Sequence, residues 1–404
     1  MGNNILLGIS GGIAAYKACS LVRELTKRGD EVRAVMTAGA QEFIRPMTLQ
    51  VLTDNPVGVT TFDAGYESEI GHIDLARWAD AVMLAPATAN LVARVAAGMG
   101  DDLLTTVLLA TDAPVVVAPA MNTQMWHHPR VQANLETIAS MPRHHLVDPD
   151  EGELACKEVG PGRLPDAEVL VQAVDAALTE PLLADKKVLV TAGPTREFID
   201  PARFISNPST GTMGHCIARA AREMGADVTL VRGPVELEPP YRVDVVDVTT
   251  ARQMHQAVMQ RAASVDVVVM AAAVADWRAA DEQQEKMAKS EMADSLELER
   301  NPDILADLGE KFGPDSGQDG PVLVGFAAET QDVVNRAREK RKRKGAHLIV
   351  ANQIGGSKSA FGDSRPAIHV LSETTVTDYP ANSKLKQARA ICREVAAQTC
   401  SPGG

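Results

Sequence analysis

The fold is decided by "NILLGISGGIAAYKACSLVRELTKRG", residues 4–29. An apolar run over residues 4–10 ends at a glycine pair, and the segment beyond it carries Ala14, Ala18, Leu21 and Leu25 at spacings of four, three and four. That spacing lines one face of a helix, whereas the run before the glycines is too short for a helix and reads as a buried strand. Gly29 closes the helix, since glycine reaches the left-handed conformation without a steric cost. Strand, glycine turn and helix form the repeating unit of a parallel sheet, in which neighbouring strands need a crossover of a dozen or more residues.

The unit recurs. Residues 31–37, 81–87 and 114–121 are further buried-strand candidates, each followed at its carboxyl end by loop chemistry. In open α/β sheets that edge is where ligands sit. A helix then ends in "TEPLLADKK" and a second α/β series starts at "KVLVTAGPTRE", so a boundary is expected near Asp185, with domains over residues 1–185 and 186–404. The second series runs through residues 227–233, 243–248, 266–276, 321–330 and 347–352. It finishes with a predicted hairpin, "AIHVLSETTVTDY", and a helix from Lys384 to about Thr399.

Composition narrows the function. A chain of 404 residues with 45% hydrophobic content can bury more than one core, and its length predicts two domains. A net charge of −13 and a pI near 5.2 argue against nucleic acid or an anionic membrane as the main partner, because those surfaces select a basic footprint. Small molecules are the expected partners. The five cysteines (19, 156, 216, 392 and 400) are odd in number, scattered and without a C-x-x-C pair. They encode neither a disulfide framework nor a zinc site, which points to a reducing, cytoplasmic setting. The longest apolar run, residues 267–275, is far too short to cross a bilayer, and the first residues have neither the basic flank of a leader nor a myristoylation pattern.

Each motif admits two readings. "GISGGIAAYK" lacks the G-x-G-x-x-G and Walker A patterns, yet Ser10, Gly11 and Gly12 at a helix start serve equally as a plain turn or as an anion cradle. Thr88 and Asn90 in "APATAN" suit a helix cap or a ribityl and phosphate contact. Asn122 in "PAMNTQMW" offers a donor and an acceptor together, enough to grip a carboxylate and an amide, or to make a turn. His72 in "GHIDLARWAD" precedes a helix and is by itself a structural histidine or a base. "GELACKEVGPGR", residues 152–163, exposes Cys156 on a glycine-bounded segment with no helical or strand period. In the second half, Asn207, Ser209, Thr210 and Gly211 precede a helix over 211–225, while Arg336, Lys340 and Lys344 recur at i, i+4 and i+8 on one helix face.

In their order the motifs identify a family. "GISGGIAAYK", "GHIDLARWAD", "APATAN", "PAMNTQMW" and "ACKEVGPGR", followed by "TAGPTRE", "ISNPSTGTMG", "AAAVADWR", "NPDIL", "GFAAET" and "KRKRK", resemble the bacterial bifunctional phosphopantothenoylcysteine decarboxylase / phosphopantothenate–cysteine ligases from about residue 4 to 395. The resemblance implies an α/β fold of two domains, an N-terminal flavodoxin-like parallel sheet of the HFCD flavoprotein type and a C-terminal Rossmann-like ligase domain. It implies FMN near Ser10, Gly11, Gly12, Thr37, Pro86, Thr88, Asn90 and Ala120, with His72 as catalytic base, Asn122 on the substrate carboxylate and amide, and Cys156 on a flap. An unactivated cysteine carboxylate cannot leave without an electron sink, which oxidation of the thiol side by FMN creates. His72 takes the thiol proton, and Cys156, mostly protonated at neutral pH, donates to the ene-thiolate. Gly152, Gly160 and Gly162 are read as the flap's joints.

For the second half the resemblance implies a ligase that activates 4′-phosphopantothenate as an acyl-cytidylate with CTP and Mg2+, then lets cysteine displace CMP. Asn207 and Lys286 match its catalytic positions, while Met270, Ala271, Ala272, Asp276, Pro302, Asp303, Ile304, Leu305, Phe326, Lys340 and Lys344 match its nucleotide site, with Asp276 also on the metal. Such transfer relies on positioning and charge neutralisation, so a few lysines and a carboxylate suffice. Gln353 and Arg365 stand where relatives often carry aspartate and asparagine. The family further implies homo-oligomers, with trimeric flavin domains sharing the FMN site, dimeric ligase domains and a dodecamer as one assembly. Alternatives of other classes are a flavin-binding regulatory protein and a flavin-dependent prenyl or aryl-acid enzyme. The pairing of Cys156 with His72 and the fused ligase argue against both.

Overall fold

The computed structural model describes residues 2–61, 71–287, 295–354, 365 and 367–399. The chain forms two compact units, Met1–Glu180 and Pro181–Gly404. In the first, β1 (Asn4–Ile9), β2 (Glu31–Met36), β3 (Val57–Gly58), β4 (Ala81–Ala87), β5 (Val115–Pro119) and β6 (His144–Leu146) make one parallel sheet in the order β3-β2-β1-β4-β5-β6. The order reverses between β1 and β4, and at such a switch point the connections leave to opposite faces and open a crevice at the carboxyl ends. All residues of β4 are buried, as befits a strand covered on both faces.

The opening stretch folds with one difference from its period. A 3-10 turn, Ile13–Lys17, precedes the α-helix Ala18–Lys27. Its tighter winding leaves Ala14 only half-buried, and Ala18, Leu21, Val22 and Leu25 carry the apolar face. Residues 150–163, expected as a loop, form an antiparallel hairpin of β7 (Asp150–Glu153) and β8 (Val159–Arg163). No apolar alternation announces it, because backbone approach holds it in place. Met121 N–H donates to Gly162 C=O at 2.9 Å, and a Cβ at Gly162 would lie 2.1 Å from the Met121 carbonyl oxygen. One at Gly160 would meet the Thr123 side chain at 2.8 Å. These two glycines serve close approach to the body of the unit instead of acting as hinges.

The second unit carries β9 (Lys187–Ala192), a small hairpin of β10 (Arg196–Asp200) and β11 (Arg203–Ser206), then β12 (Asp227–Arg232), β13 (Asp244–Asp247) and β14 (Val267–Met270). A second hairpin, β15 (Trp277–Ala279) with β16 (Leu298–Arg300), is followed by β17 (Val322–Glu329), β18 (Leu348–Gln353), β19 (Ile368–Leu371) and β20 (Val376–Tyr379). The main sheet runs β13-β12-β9-β14-β17-β18-β19-β20, parallel up to β18 and antiparallel through the terminal hairpin. Alternate residues face opposite layers. Val188, Val190, Leu230 and Val269 pack with the helices Thr212–Glu223 and Lys384–Thr399, while Leu189, Val231 and Val268 pack with Ala251–Arg261 and Ile304–Phe312.

The apolar run 266–276 is a strand only to Met270. Beyond it the backbone leaves the ladder and is satisfied from the β9 side, with Ala272 N–H donating to Thr191 Oγ1 (3.1 Å), Ala273 N–H to Gly193 C=O (2.9 Å) and Ala275 N–H to Thr195 Oγ1 (3.0 Å). These threonines turn the segment into a lining loop. Among the described residues no helix is long and apolar enough to cross a membrane.

Candidate functional site

In the first unit a cavity of about 1100 Å³ opens at the carboxyl ends of β1, β2, β4 and β5. Ser10, nearly inaccessible, ties two of these strand ends together. Its hydroxyl donates to Pro86 C=O (2.8 Å), accepts from Thr88 N–H (2.9 Å) and lies 3.1 Å from the Thr88 hydroxyl. Thr88 also caps the helix Ala89–Ala96, with a long contact of 3.5 Å from Leu91 N–H, so capping and site roles coincide. At Gly11 a Cβ would sit 2.6 Å from the Gly39 carbonyl carbon, so only glycine lets the β1 and β2 loops close the cavity floor.

Of the residues expected around a flavin, Ser10, Gly11, Gly12, Thr37, Thr88, Asn90 and Ala120 line this cavity, and Pro86 supports it from beneath through Ser10. Asn122 and Cys156 line the same wall, the first at the end of β5 and the second on the turn of the β7–β8 hairpin. They touch: the Asn122 amide donates to Cys156 Sγ at 3.4 Å and to Glu158 Oε2 at 2.6 Å, while its oxygen accepts Gln124 N–H at 2.8 Å. His72 begins the helix His72–Trp78 and is not on the lining.

Other groups at the cavity had not been singled out. Lys17 Nζ donates to Leu164 C=O (2.7 Å) and pairs with Asp166 (3.0 Å), fastening the foot of the hairpin to the first glycine loop. Lys17 closes the "GISGGIAAYK" motif, and that position was its one signal. Arg94 pairs with Asp101 and Asp102, and these hydrogen bonds hold its guanidinium charged despite burial. Burial, with the nearby Asp166 charge, pushes the Asp150 carboxyl up.

A second cavity, about 550 Å³, lies at the carboxyl ends of β14 and β17 in the other unit. Met270, Ala272, Asp276, Pro302, Asp303, Ile304, Leu305, Phe326, Lys340 and Lys344 line it as expected; Ala271 does not. Burial pushes both lysines below the ordinary ammonium range, and the Asp276 carboxylate opposes that shift for each. Lys344 is ion-paired to Asp303, which also caps the helix Ile304–Phe312. Arg336, on the same helix as Lys340, is exposed and pairs with Glu329 instead. Asn207 is off the lining but holds it, its amide donating to Ala273 C=O (3.2 Å) and Val274 C=O (3.1 Å).

Lys286 is exposed on a loop pinned to the β10–β11 hairpin. There Asp200, fully buried, accepts from Ala202, Arg203 and Met287 N–H groups and from the Arg203 guanidinium, and Arg203 donates to Met287 C=O. Arg203 above all, with the backbone donors, draws the Asp200 carboxyl down to about 2. Gln353 ends β18 and Arg365 is exposed; neither lines the cavity.

Two family models match the chain, Flavoprotein over residues 1–179 and the DNA/pantothenate metabolism flavoprotein C-terminal domain over residues 183–399. The "Coenzyme A biosynthesis bifunctional protein CoaBC" of Vibrio vulnificus (strain YJ016) is 45% identical over 396 residues, 98% of this chain and 97% of that protein. Its namesake from Bacillus subtilis (strain 168) is 42% identical over 99% of this chain and 98% of its own length. The one from Escherichia coli (strain K12) is 46% identical over 92% and 91%. With both models matched in order and such identity over nearly the whole length, the chain belongs to the family of coenzyme A biosynthesis bifunctional proteins.

Proposed function

We infer that the chain catalyses two consecutive reactions of coenzyme A biosynthesis: it ligates cysteine to 4′-phosphopantothenate and decarboxylates the product to 4′-phosphopantetheine. The observation that carries the decarboxylase reading is the contact of Asn122 with Cys156 on the wall of the first cavity. FMN fits that cavity, whose volume suits a cofactor and whose hydroxyls and amide at Ser10, Thr37, Thr88 and Asn90 match a ribityl phosphate. Bound FMN supplies the electron sink by taking up, and later returning, a hydride equivalent. The Asn122 amide orients the substrate carboxylate, His72 takes the thiol proton, and Cys156 delivers a proton to the ene-thiolate left by carbon dioxide loss.

His72 lies outside the cavity of its own chain, and Ile13, Tyr16, Met47 and Val51 are exposed apolar residues on this unit. Both facts support a homo-oligomer in which another copy's His72 completes the site. In the second unit, the Lys340 and Lys344 ammoniums facing Asp276 suit a CTP triphosphate and an Mg2+ ion that takes one carboxylate and its remaining ligands from phosphates and water. Asn207 and Lys286 act on the acyl-nucleotide side, the first by holding the lining loop and the second by offsetting phosphate charge. The test is incubation of the full-length protein with FMN, phosphopantothenate, cysteine, CTP and Mg2+. Mass detection of 4′-phosphopantetheine is expected, with ATP a poor substitute for CTP. Formation of neither the amide nor the decarboxylated product overturns the reading.

A further inference from the structure

The Asn122 amide is fully engaged. Its oxygen accepts Gln124 N–H, which fixes the orientation of the group and turns Nδ2 toward the hairpin. A side-chain amide nitrogen has two hydrogens, and two acceptors on the hairpin turn meet it, Glu158 Oε2 at 2.6 Å and Cys156 Sγ at 3.4 Å. The carboxylate is the stronger acceptor and makes the shorter bond. Glu158 and Cys156 move as one piece, because Leu154 N–H donates to Glu158 C=O and Lys157 N–H to Leu154 C=O, both at 2.8 Å.

We propose that Glu158 is a latch that competes with the substrate carboxylate for the Asn122 amide. This rests on the assignment of Asn122 to the substrate carboxylate. A substrate carboxylate reaches Nδ2 only by displacing a hairpin acceptor, and two carboxylates on one amide repel each other, so substrate entry unlatches the turn. Loss of carbon dioxide removes that acceptor and its charge from the substrate. Glu158 is then the only carboxylate left for the amide, and its return carries Cys156 back to the cavity wall. The thiol therefore arrives at the stage when the ene-thiolate needs a proton. Glu158 itself is a positioning residue; it exchanges no proton with substrate.

The test compares FMN-loaded full-length wild type, Glu158→Gln, Glu158→Asp and Asn122→Ala, with 4′-phospho-N-pantothenoylcysteine as the probe. Glu158→Gln competes less well, so KM falls about threefold to tenfold and kcat falls about tenfold as the thiol returns less often. Glu158→Asp, which keeps the charge, restores most of kcat. Amide hydrogen exchange over residues 154–158, measured without turnover, is faster in Glu158→Gln than in wild type. Unchanged KM and kcat, or equal exchange, in Glu158→Gln overturns the latch. A raised KM in Asn122→Ala beside wild-type behaviour of Glu158→Gln overturns the latch alone. An unchanged KM in Asn122→Ala overturns the Asn122 assignment and the latch with it.

Discussion

Lys340 and Lys344 show how burial prepares a residue for a ligand. Each ammonium is desolvated and held below its ordinary pKa, and the Asp276 carboxylate only partly offsets this. A phosphate that arrives beside Lys340 restores the charged form and gains from it. A lysine must keep its proton to pair with a triphosphate, so nucleotide affinity falls as pH rises through that lowered pKa. Lys340→Arg, protonated throughout, should move this alkaline limb upward in a pH profile of CTP binding. Lys340→Met should raise KM for CTP on the order of 10- to 100-fold, the equivalent of one charge-assisted hydrogen bond. The i, i+4, i+8 spacing put three cations on one helix face in the sequence, but only the fold separates them. Arg336 finds Glu329 at the surface, and the other two find a cavity.

Among the elements, the β7–β8 hairpin and the β10–β11 hairpin are positioned by very different means. The first is held by backbone contact that only glycine permits, at a φ of +134° for Gly162 that other residues rarely adopt. Gly162→Ala should dislodge it and lower decarboxylation at least about tenfold while ligation of cysteine is unchanged, measured as separate half-reactions. The second is held by the buried Asp200 carboxylate. Its folded pKa lies below that of an exposed aspartate, so it contributes stability in full above about pH 5 and loses it as the pH falls toward 2. Thermal melts should show Asp200→Asn destabilised at pH 7, with the gap to wild type narrowing below about pH 4.

At the scale of the whole molecule, shared sites make a sharp prediction. If His72 serves another copy's cavity, mixing inactive His72→Asn and Cys156→Ser proteins under conditions that exchange subunits should recover part of the decarboxylase activity. No recovery, with exchange verified by mass, would remove His72 from a shared site. The two α/β series, the parallel order of their first strands and the ligand-bearing strand ends were legible in the chain because they follow from short-range causes, namely apolar period, glycine at turns and crossover length. The nucleotide and flavin residues were legible through the order of their motifs. Three features were not: the hairpin at 150–163, the departure of residues 271–276 from their strand, and the Glu158 contact. Each depends on backbone or side-chain groups far apart in sequence meeting at hydrogen-bond distance, Met121 with Gly162, Thr191 with Ala272, Asn122 with Glu158. Periodicity reports which face of an element is buried. It carries no information about which partner waits there, and that choice is made by the packing of the strands.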